Sequence, residues 1–347
     1  MRFYLPLLLI FVLGTCLRAQ STDVPAPKFS VQQYGKKSFR AAGQRIYVAG
    51  FNVHYQTFFS VRDAQAAKRD RAGSRAISNV ALGGLTEADL RGMTDELYAH
   101  FTEQLTAAGY TFIAPATARE IPTFAGYTEV PGGSISPAQL YGYVTVTPGE
   151  LPTYVPGVKN SGKRKQKFID PSARISGDLN EAIVAFVDVY VPFAEDGESS
   201  WSRSLGRMTD ESKAVVKTNL RLGMPTIAAK GNFAESVGLG QRPGVQGRGV
   251  RLAAGKMKVG LGALAGFTAT LKKDLPIEGV MRSEKFKTYA RGEAASPFAT
   301  GVYFLSSEEV EETRGVDYDR EAYLRSVVAA GRVYLETAVG EFLDGVK

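Results

Sequence analysis

Residues 45–115 carry a strand, a helix and a second strand in succession, and that order restricts the fold more than any other stretch. In residues 45–59, Tyr47, Ala49, Phe51, Val53 and Tyr55 alternate with Ile46, Val48, Gly50 and Asn52. The β-branched and aromatic content predicts a strand with at least its first half buried on both faces. After Gly83-Gly84, the run Thr86-Glu87-Ala88-Asp89 has the form of a capping box with Asp in the Glu position. Leu90, Met93, Leu97, Phe101 and Leu105 follow at helical spacing. Gly109 is placed to stop that helix in a left-handed turn, and residues 110–114 read as a short strand closed by Pro115. Two parallel strands need a long crossover, so this succession is the minimal unit that gives a parallel pair.

Further along, residues 181–193 predict a strand with Ile183, Ala185, Val187, Val189 and Val191 on one face and Asp188 and Tyr190 on the other. The most regular alternation is at residues 256–272, where Met257, Val259, Leu261, Ala263, Ala265, Phe267, Ala269 and Leu271 are separated by Lys, Gly and Thr, with Leu264 as the exception. A long amphipathic strand packed on helices gives this pattern, and so does a strand pair facing lipid on one side. The soluble strand is the favoured reading, with 257–271 the place for a membrane hairpin if there is one. Residues 281–290 and 301–306 offer further strands, and Glu308, Glu309, Glu311 and Glu312 read as a solvated loop. A helix over 319–343 closes the chain, with Leu324, Val328, Gly331, Leu335, Ala338 and Phe342 in one stripe.

The remainder reads as irregular. Prolines recur from Pro122 to Pro156, so residues 116–176 are expected as an insertion in which only 140–147 forms a strand; 194–248 is a second, Gly-rich insertion holding Trp201. Residues 62–75 are charged and Ala-rich, an excursion or a solvated helix, and the basic run 159–167, with Lys163-Arg164-Lys165-Gln166-Lys167 inside it, reads as a solvated loop tip. The expected fold is α/β or α+β in one domain over 43–347. Its mixed sheet is built from strands near 46, 110, 183 and 257 and covered by two long amphipathic helices, with long irregular insertions. A linker or arm over 20–42 precedes it.

Residues 1–19 have the form of an export signal. Arg2 starts it, residues 3–17 are almost wholly apolar, and Arg18-Ala19-Gln20 leads into polar Ser21-Thr22-Asp23, which places cleavage after Ala19. The apolar run holds Pro6 and falls short of the roughly 20 residues of a membrane span. Cys16 is the only cysteine, so a mature chain would have no disulfide, thiolate metal site or cysteine nucleophile. Lipidation of Cys16 would ask for a small Gly or Ala directly before it, where Leu13-Gly14-Thr15 places Thr. No asparagine starts an Asn-x-Ser/Thr acceptor, which favours bacterial export to the periplasm, the outer membrane or the medium. The formal charge of +7 is mild, and it loses two cations with the leader. It suits polysaccharide or anionic head groups and gives no argument for nucleic acid.

Chemistry is sparse. Histidine catalysis has two candidates, His54 on the first strand and His100 on the helix. Asp188 is a lone carboxylate among buried strand residues, for which capping a loop at the strand end is the ordinary role. The sequence has no H-E-x-x-H, G-x-S-x-G or S-x-x-K motif, which argues against the common zinc and serine hydrolases. The glycines Gly260, Gly262 and Gly266 lack the spacing of a dinucleotide fingerprint and precede no helix. No cofactor and no metal is expected. If the chain is an enzyme, Asp188 with His54 and His100 would act on envelope polymers. The aromatic clusters Tyr55, Phe58, Phe59 and Tyr141, Tyr143, Tyr154 either fill the core or stack on a glycan.

One arrangement points further. A strand at 46–53 is followed by a helix with Leu85-Thr86, Thr94-Asp95-Glu96-Leu97, Leu105 and Gly109-Tyr110, then by a strand, and the chain closes in a long amphipathic helix. This resembles the periplasmic α/β domain of the curli-secretion-channel family and its relatives among outer-membrane assembly lipoproteins. The resemblance implies an envelope location, no enzymatic activity, ring-forming oligomers and, in the channel members, β-hairpins contributed to a barrel. It assigns no catalytic residue. The leading expectation is therefore a non-catalytic exported envelope protein that self-associates, binds an envelope protein or polysaccharide, or associates with the membrane. The alternatives are an exported enzyme and a glycan-binding module.

Overall fold

The computed structural model describes residues 24–65, 74–167, 169–198, 213–224, 249–257, 262–289 and 313–347. The export signal, Cys16, Trp201, Gly260, the strand expected at 301–306 and Glu308–Glu312 lie outside them. The fold is α+β. Six strands carry its eight-stranded main sheet, β1 (Phe29–Tyr34), β2 (Arg45–Gln56), β3 (Tyr143–Val146), β4 (Ile183–Val191), β5 (Gly249–Lys256) and β6 (Ala263–Leu271), in the order β1-β6-β5-β4-β2-β3. Only β2 and β4 among these pair in parallel, at the centre; Ile135–Ser136 adds to β3 at one edge. The helices are α1 (Lys36–Ala41), α2 (Glu87–Ala107), α3 (Pro115–Arg119), α4 (Ser172–Asp178) and α5 (Arg320–Val346). Thr111–Phe112, after α2, pairs in parallel with Arg45 and Ile46, which completes the expected strand–helix–strand unit.

The central strand departs from simple alternation. Val48 pairs with Ala185 and Gly50 with Phe186, so Ala49 is an extra residue. A bulge of this kind shifts the period by one and exchanges the faces. Ile46 and Val48 before it share a core with Phe51, Val53 and Tyr55 after it, whereas Tyr47 and Ala49 pack with Val184 on the other side. The expected single face of Tyr47, Ala49, Phe51, Val53 and Tyr55 is thus corrected. A Cβ on Gly50 would stand 3.2 Å from the Phe186 ring, so a larger residue there would press on Phe186.

Two long helices cover the first face. Thr86 and Asp89 form the predicted capping box, each side chain accepting from the other's backbone N–H, and Gly109 ends α2 at φ 90°. Phe51 rests against Tyr98 and Phe101 of α2 at centroid distances of 5.3 and 5.9 Å. Phe342 of α5 meets Phe39 and Phe267. Gly331 of α5 faces Leu97 so closely that a Cβ would stand 2.5 Å from Leu97 Cδ2. The Arg320 guanidinium lies 2.6 Å from the Asp89 carboxylate and ties the starts of the two helices together. The alternation near the 260s has the same cause. Ala265, Phe267 and Ala269 are buried on the core side, while Leu264 is exposed. The strand begins at Ala263 rather than 257, because β5 is its hairpin partner and Met257 already belongs to the connection.

Four further expectations change. Residues 29–41, expected within a linker or arm, form β1 and α1, because Phe29 and Phe39 are buried in the core and β1 pairs with β6. Phe58–Gln65 and Ser74–Ala81 pair as an antiparallel hairpin where residues 62–75 were read as an excursion or solvated helix, since Phe58, Phe59, Val61, Ala76 and Val80 supply buried apolar contacts at its base. The second insertion holds Ala194–Asp196, Lys213–Thr218 and Arg221–Leu222; Lys213–Thr218 pairs with Lys285–Tyr289, so the strand expected at 281–290 starts late. The first insertion holds α3, α4 and the paired strands Thr128–Val130 and Thr153–Val155 besides β3.

Gly331→Leu should cost about 1–3 kcal/mol by overpacking, and Thr86→Ala about 1 kcal/mol by loss of the cap, both read by urea unfolding. For Asp89, burial opposes ionisation, but the Thr86 N–H and hydroxyl and the Arg320 guanidinium outweigh it and hold the carboxyl below its ordinary range. The folded chain then binds fewer protons than the unfolded one, so this stabilisation is present near neutral pH and fades as acid protonates Asp89. Asp89→Asn should accordingly be less stable than the parent near neutrality, with the gap closing below about pH 4.

Candidate functional site

The face exchange at Ala49 sends Asn52 and His54 to the second side of the sheet. Register does the rest: Asn52 stands opposite Asp188, His54 opposite Tyr190, and Thr145 of β3 beside His54. On the other flank Arg251 of β5 pairs with Phe186. A polar row therefore crosses the sheet at the carboxyl-terminal halves of its two parallel strands, where open α/β sheets commonly bind ligands. Ile121, Phe124, Ile175 and Leu179 of the Pro-rich segment pack on Tyr47, Ala49 and Val184. Beside that contact, the segment arches over the polar row and encloses a cavity of about 730 Å³. This is within the range of small-molecule sites.

The floor is one connected line of hydrogen bonds. His54 Nε2 is 3.1 Å from Asp188 Oδ1, and His54 Nδ1 is 2.8 Å from Thr145 Oγ1. Asn52 Nδ2 donates to the same Asp188 oxygen at 3.1 Å, and Asn52 Oδ1 accepts from Arg164 Nη1 at 3.3 Å. A carboxylate oxygen only accepts, so Nε2 carries a proton, and in the neutral imidazole Nδ1 then accepts from the threonine hydroxyl. The Tyr190 ring lies flat on the imidazole at 4.3 Å and 11°. Carboxylate, imidazole and hydroxyl stand in the order of a hydrolase triad. Here the hydroxyl belongs to Thr145, only 1% exposed, and the imidazole has both nitrogens engaged and a face covered, at 7% exposure.

Of the expected site residues, His54 and Asp188 meet and His100 joins neither. His100 belongs to α2, which covers the first face, and its Nε2 is 3.1 Å from Gln104 Nε2 on the same helix. Asp188 caps no loop, because its partners come from the neighbouring strand. Among the described residues no group of His, Cys, Asp and Glu is arranged to hold a metal ion.

Two arginines were not legible as site residues. Arg164 sits in the run read as a solvated tip. Lys159, Lys165 and Lys167 are exposed as expected, but a tight turn pairs Val158 with Arg164, and the Gln139 side chain accepts from the Arg164 N–H at 3.0 Å. These contacts turn Arg164 inward. Burial pulls its pKa down while Asp188 pulls it up. Arg251 lies on β5, where no strand was expected; its Nη1 donates to Asp170 at 2.8 Å and its guanidinium lies 5.0 Å from the Phe186 ring centroid. The aromatic clusters divide. Tyr55, Phe58, Phe59 and Tyr143 are buried, whereas half-buried Tyr141 and Tyr154 line the cavity with Tyr127, Tyr154 stacking on Phe124 at 4.8 Å.

No protein family, curated protein or solved structure matches this chain, so the geometry alone carries the reading of the site. If the polar line supports the floor, Asp188→Ala should lower stability by about 1–3 kcal/mol by stranding buried donors. His100→Gln should change it by less than about 0.5 kcal/mol. Urea unfolding of the two variants checks both.

Proposed function

We propose that this chain is an exported cell-envelope protein that works by binding a ligand in the cavity over the second face of its sheet, without turning it over. The carrying observation is the engagement of His54. Its hydroxyl partner Thr145 is only 1% exposed and Tyr190 covers the ring face, so neither the hydroxyl nor the imidazole is open to a substrate. Export rests on Arg2, the apolar run 3–17 and the polar residues after Ala19. An envelope polysaccharide is the ligand class this address favours, and the half-buried Tyr127, Tyr141 and Tyr154 suit the faces of sugar rings.

Self-association is a second reading, in line with the resemblance to the curli-secretion-channel family. It is favoured by β1, an edge strand of the main sheet with Val31 36% and Tyr34 54% exposed. A strand edge of this kind can pair with a second copy.

The expected outcome in cells is a tagged product in the envelope fraction with Gln20 as its first residue, read by N-terminal sequencing. Immobilised on a column, the purified chain should retain envelope polysaccharide saturably and return it at unchanged length. Shortened product that disappears with Asp188→Asn would instead establish the enzyme. Native mass spectrometry decides self-association, for which a monomer at all concentrations is the contrary result.

A further inference from the structure

The cavity carries more positive charge than its floor accounts for. Six cationic side chains line it against two carboxylates, Asp170 and Asp188. Both carboxylates are already engaged, Asp188 by His54 and Asn52, Asp170 by Arg251 and by the backbone N–H and hydroxyl of Ser172. The excess is not confined to the lysine rim. Arg251 is 9% exposed and Arg164 is held inside by its turn.

Their unused donors are specific atoms. Nε of Arg251 and Nη2 of Arg164 are buried and have no hydrogen-bond partner among the described residues. A guanidinium does not shed its proton under ordinary conditions, so it cannot escape the cost of burial by neutralising. The downward pull of burial on Arg164 expresses that cost. A carboxylate or phosphate would offset it, since a planar guanidinium offers parallel N–H groups to two oxygens of one anion. Two neutral groups of the same cavity are in a similar position. Tyr127 Oη and Thr153 Oγ1 are buried without a partner among the described residues, and each can donate to or accept from a ligand hydroxyl. Tyr127 also has Lys167 Nζ 4.7 Å from its ring centroid, so this wall combines a ring surface with positive charge.

We infer that the ligand is an acidic saccharide unit, its carboxylate or phosphate held by Arg164 and Arg251 and its ring and hydroxyls set against Tyr127, Tyr154 and Thr153. The inference rests on the binding reading above and narrows it. A neutral glycan would leave the two guanidinium donors facing uncharged oxygens at best, and an inorganic anion would leave the aromatic wall and the hydroxyl donors unused.

The test is isothermal titration of the purified chain with a uronic acid disaccharide, with the neutral hexose disaccharide of the same linkage, and with inorganic phosphate. A phosphorylated hexose is added to separate the two acidic groups. The expected result is saturable binding of the uronate or the sugar phosphate, about tenfold or more tighter than the neutral sugar and weakening as salt is raised. Arg164→Gln should weaken it by about tenfold or more while a cooperative thermal unfolding transition is retained. Arg251→Lys, which keeps the charge and loses the planar fork, should weaken it as well and decides the matter if Arg164→Gln does not fold.

Equal binding of the neutral disaccharide, unaffected by either substitution, would overturn the acidic class and leave the glycan-binding reading standing. Inorganic phosphate binding as tightly as the sugar acids would overturn the saccharide body. Absence of binding by all four probes would overturn the inference and, with a column that retains no polysaccharide, the binding reading too.

Discussion

The parallel pairing of β2 with β4, interrupted by one extra residue at Ala49, is the constraint on which the rest of the structure depends. Both strands are buried along most of their length, so both faces of the sheet need cover. The helices α2 and α5 provide it on one side, with Phe51, Phe101, Phe267 and Phe342 in the contact. On the other side the cover comes from a Pro-rich segment with only short elements, whose Ile121, Phe124, Ile175 and Leu179 reach the first half of the pair. Beyond that contact the segment arches, and the space beneath it is the cavity.

The extra residue decides what lines that space. Without it, alternation from Ile46 and Val48 would continue to Asn52 and His54, placing an amide and an imidazole under α2 and the aromatic Phe51 and Tyr55 toward the cavity. With it, the polar side chains meet Asp188 across the strand pair, and each satisfies the next. A buried polar group is tolerated only when paired, and the succession Thr145, His54, Asp188, Asn52, Arg164 meets that condition link by link. It ends at a guanidinium with a donor to spare. The same line that rigidifies the floor therefore delivers a fixed cation to the cavity, and the proposed binding function rests on that surplus.

Much of the frame was legible. The capping box at Thr86, the stop at Gly109, the face of Ile183, Ala185, Val187, Val189 and Val191, and the stripe of the closing helix are local signals, and each element is found where they place it. The meeting of His54 and Asp188 was half legible, as two isolated polar residues in apolar strands. Their contact depends on a register that a bulge sets, and a one-residue bulge leaves no mark in composition. Arg164 was hidden for the opposite reason. Its neighbours are solvated lysines, and only the turn that pairs it with Val158 separates it from them. Arg251 was missed because β5 has glycines at both ends of its apolar run and its partner strand starts six residues later than the alternation suggests.

The central claim is that the carboxylate–imidazole–hydroxyl line is a fixed floor, closed to proton exchange, on which the cavity is built. The chain has two histidines, so ¹⁵N-detected imidazole spectra can be assigned with a single His100→Gln variant. The result expected is one His54 tautomer, protonated at Nε2 and accepting at Nδ1, with an N–H that exchanges slowly with water. A His54 ring that averages its tautomers and exchanges freely with water would contradict the account of a fixed floor.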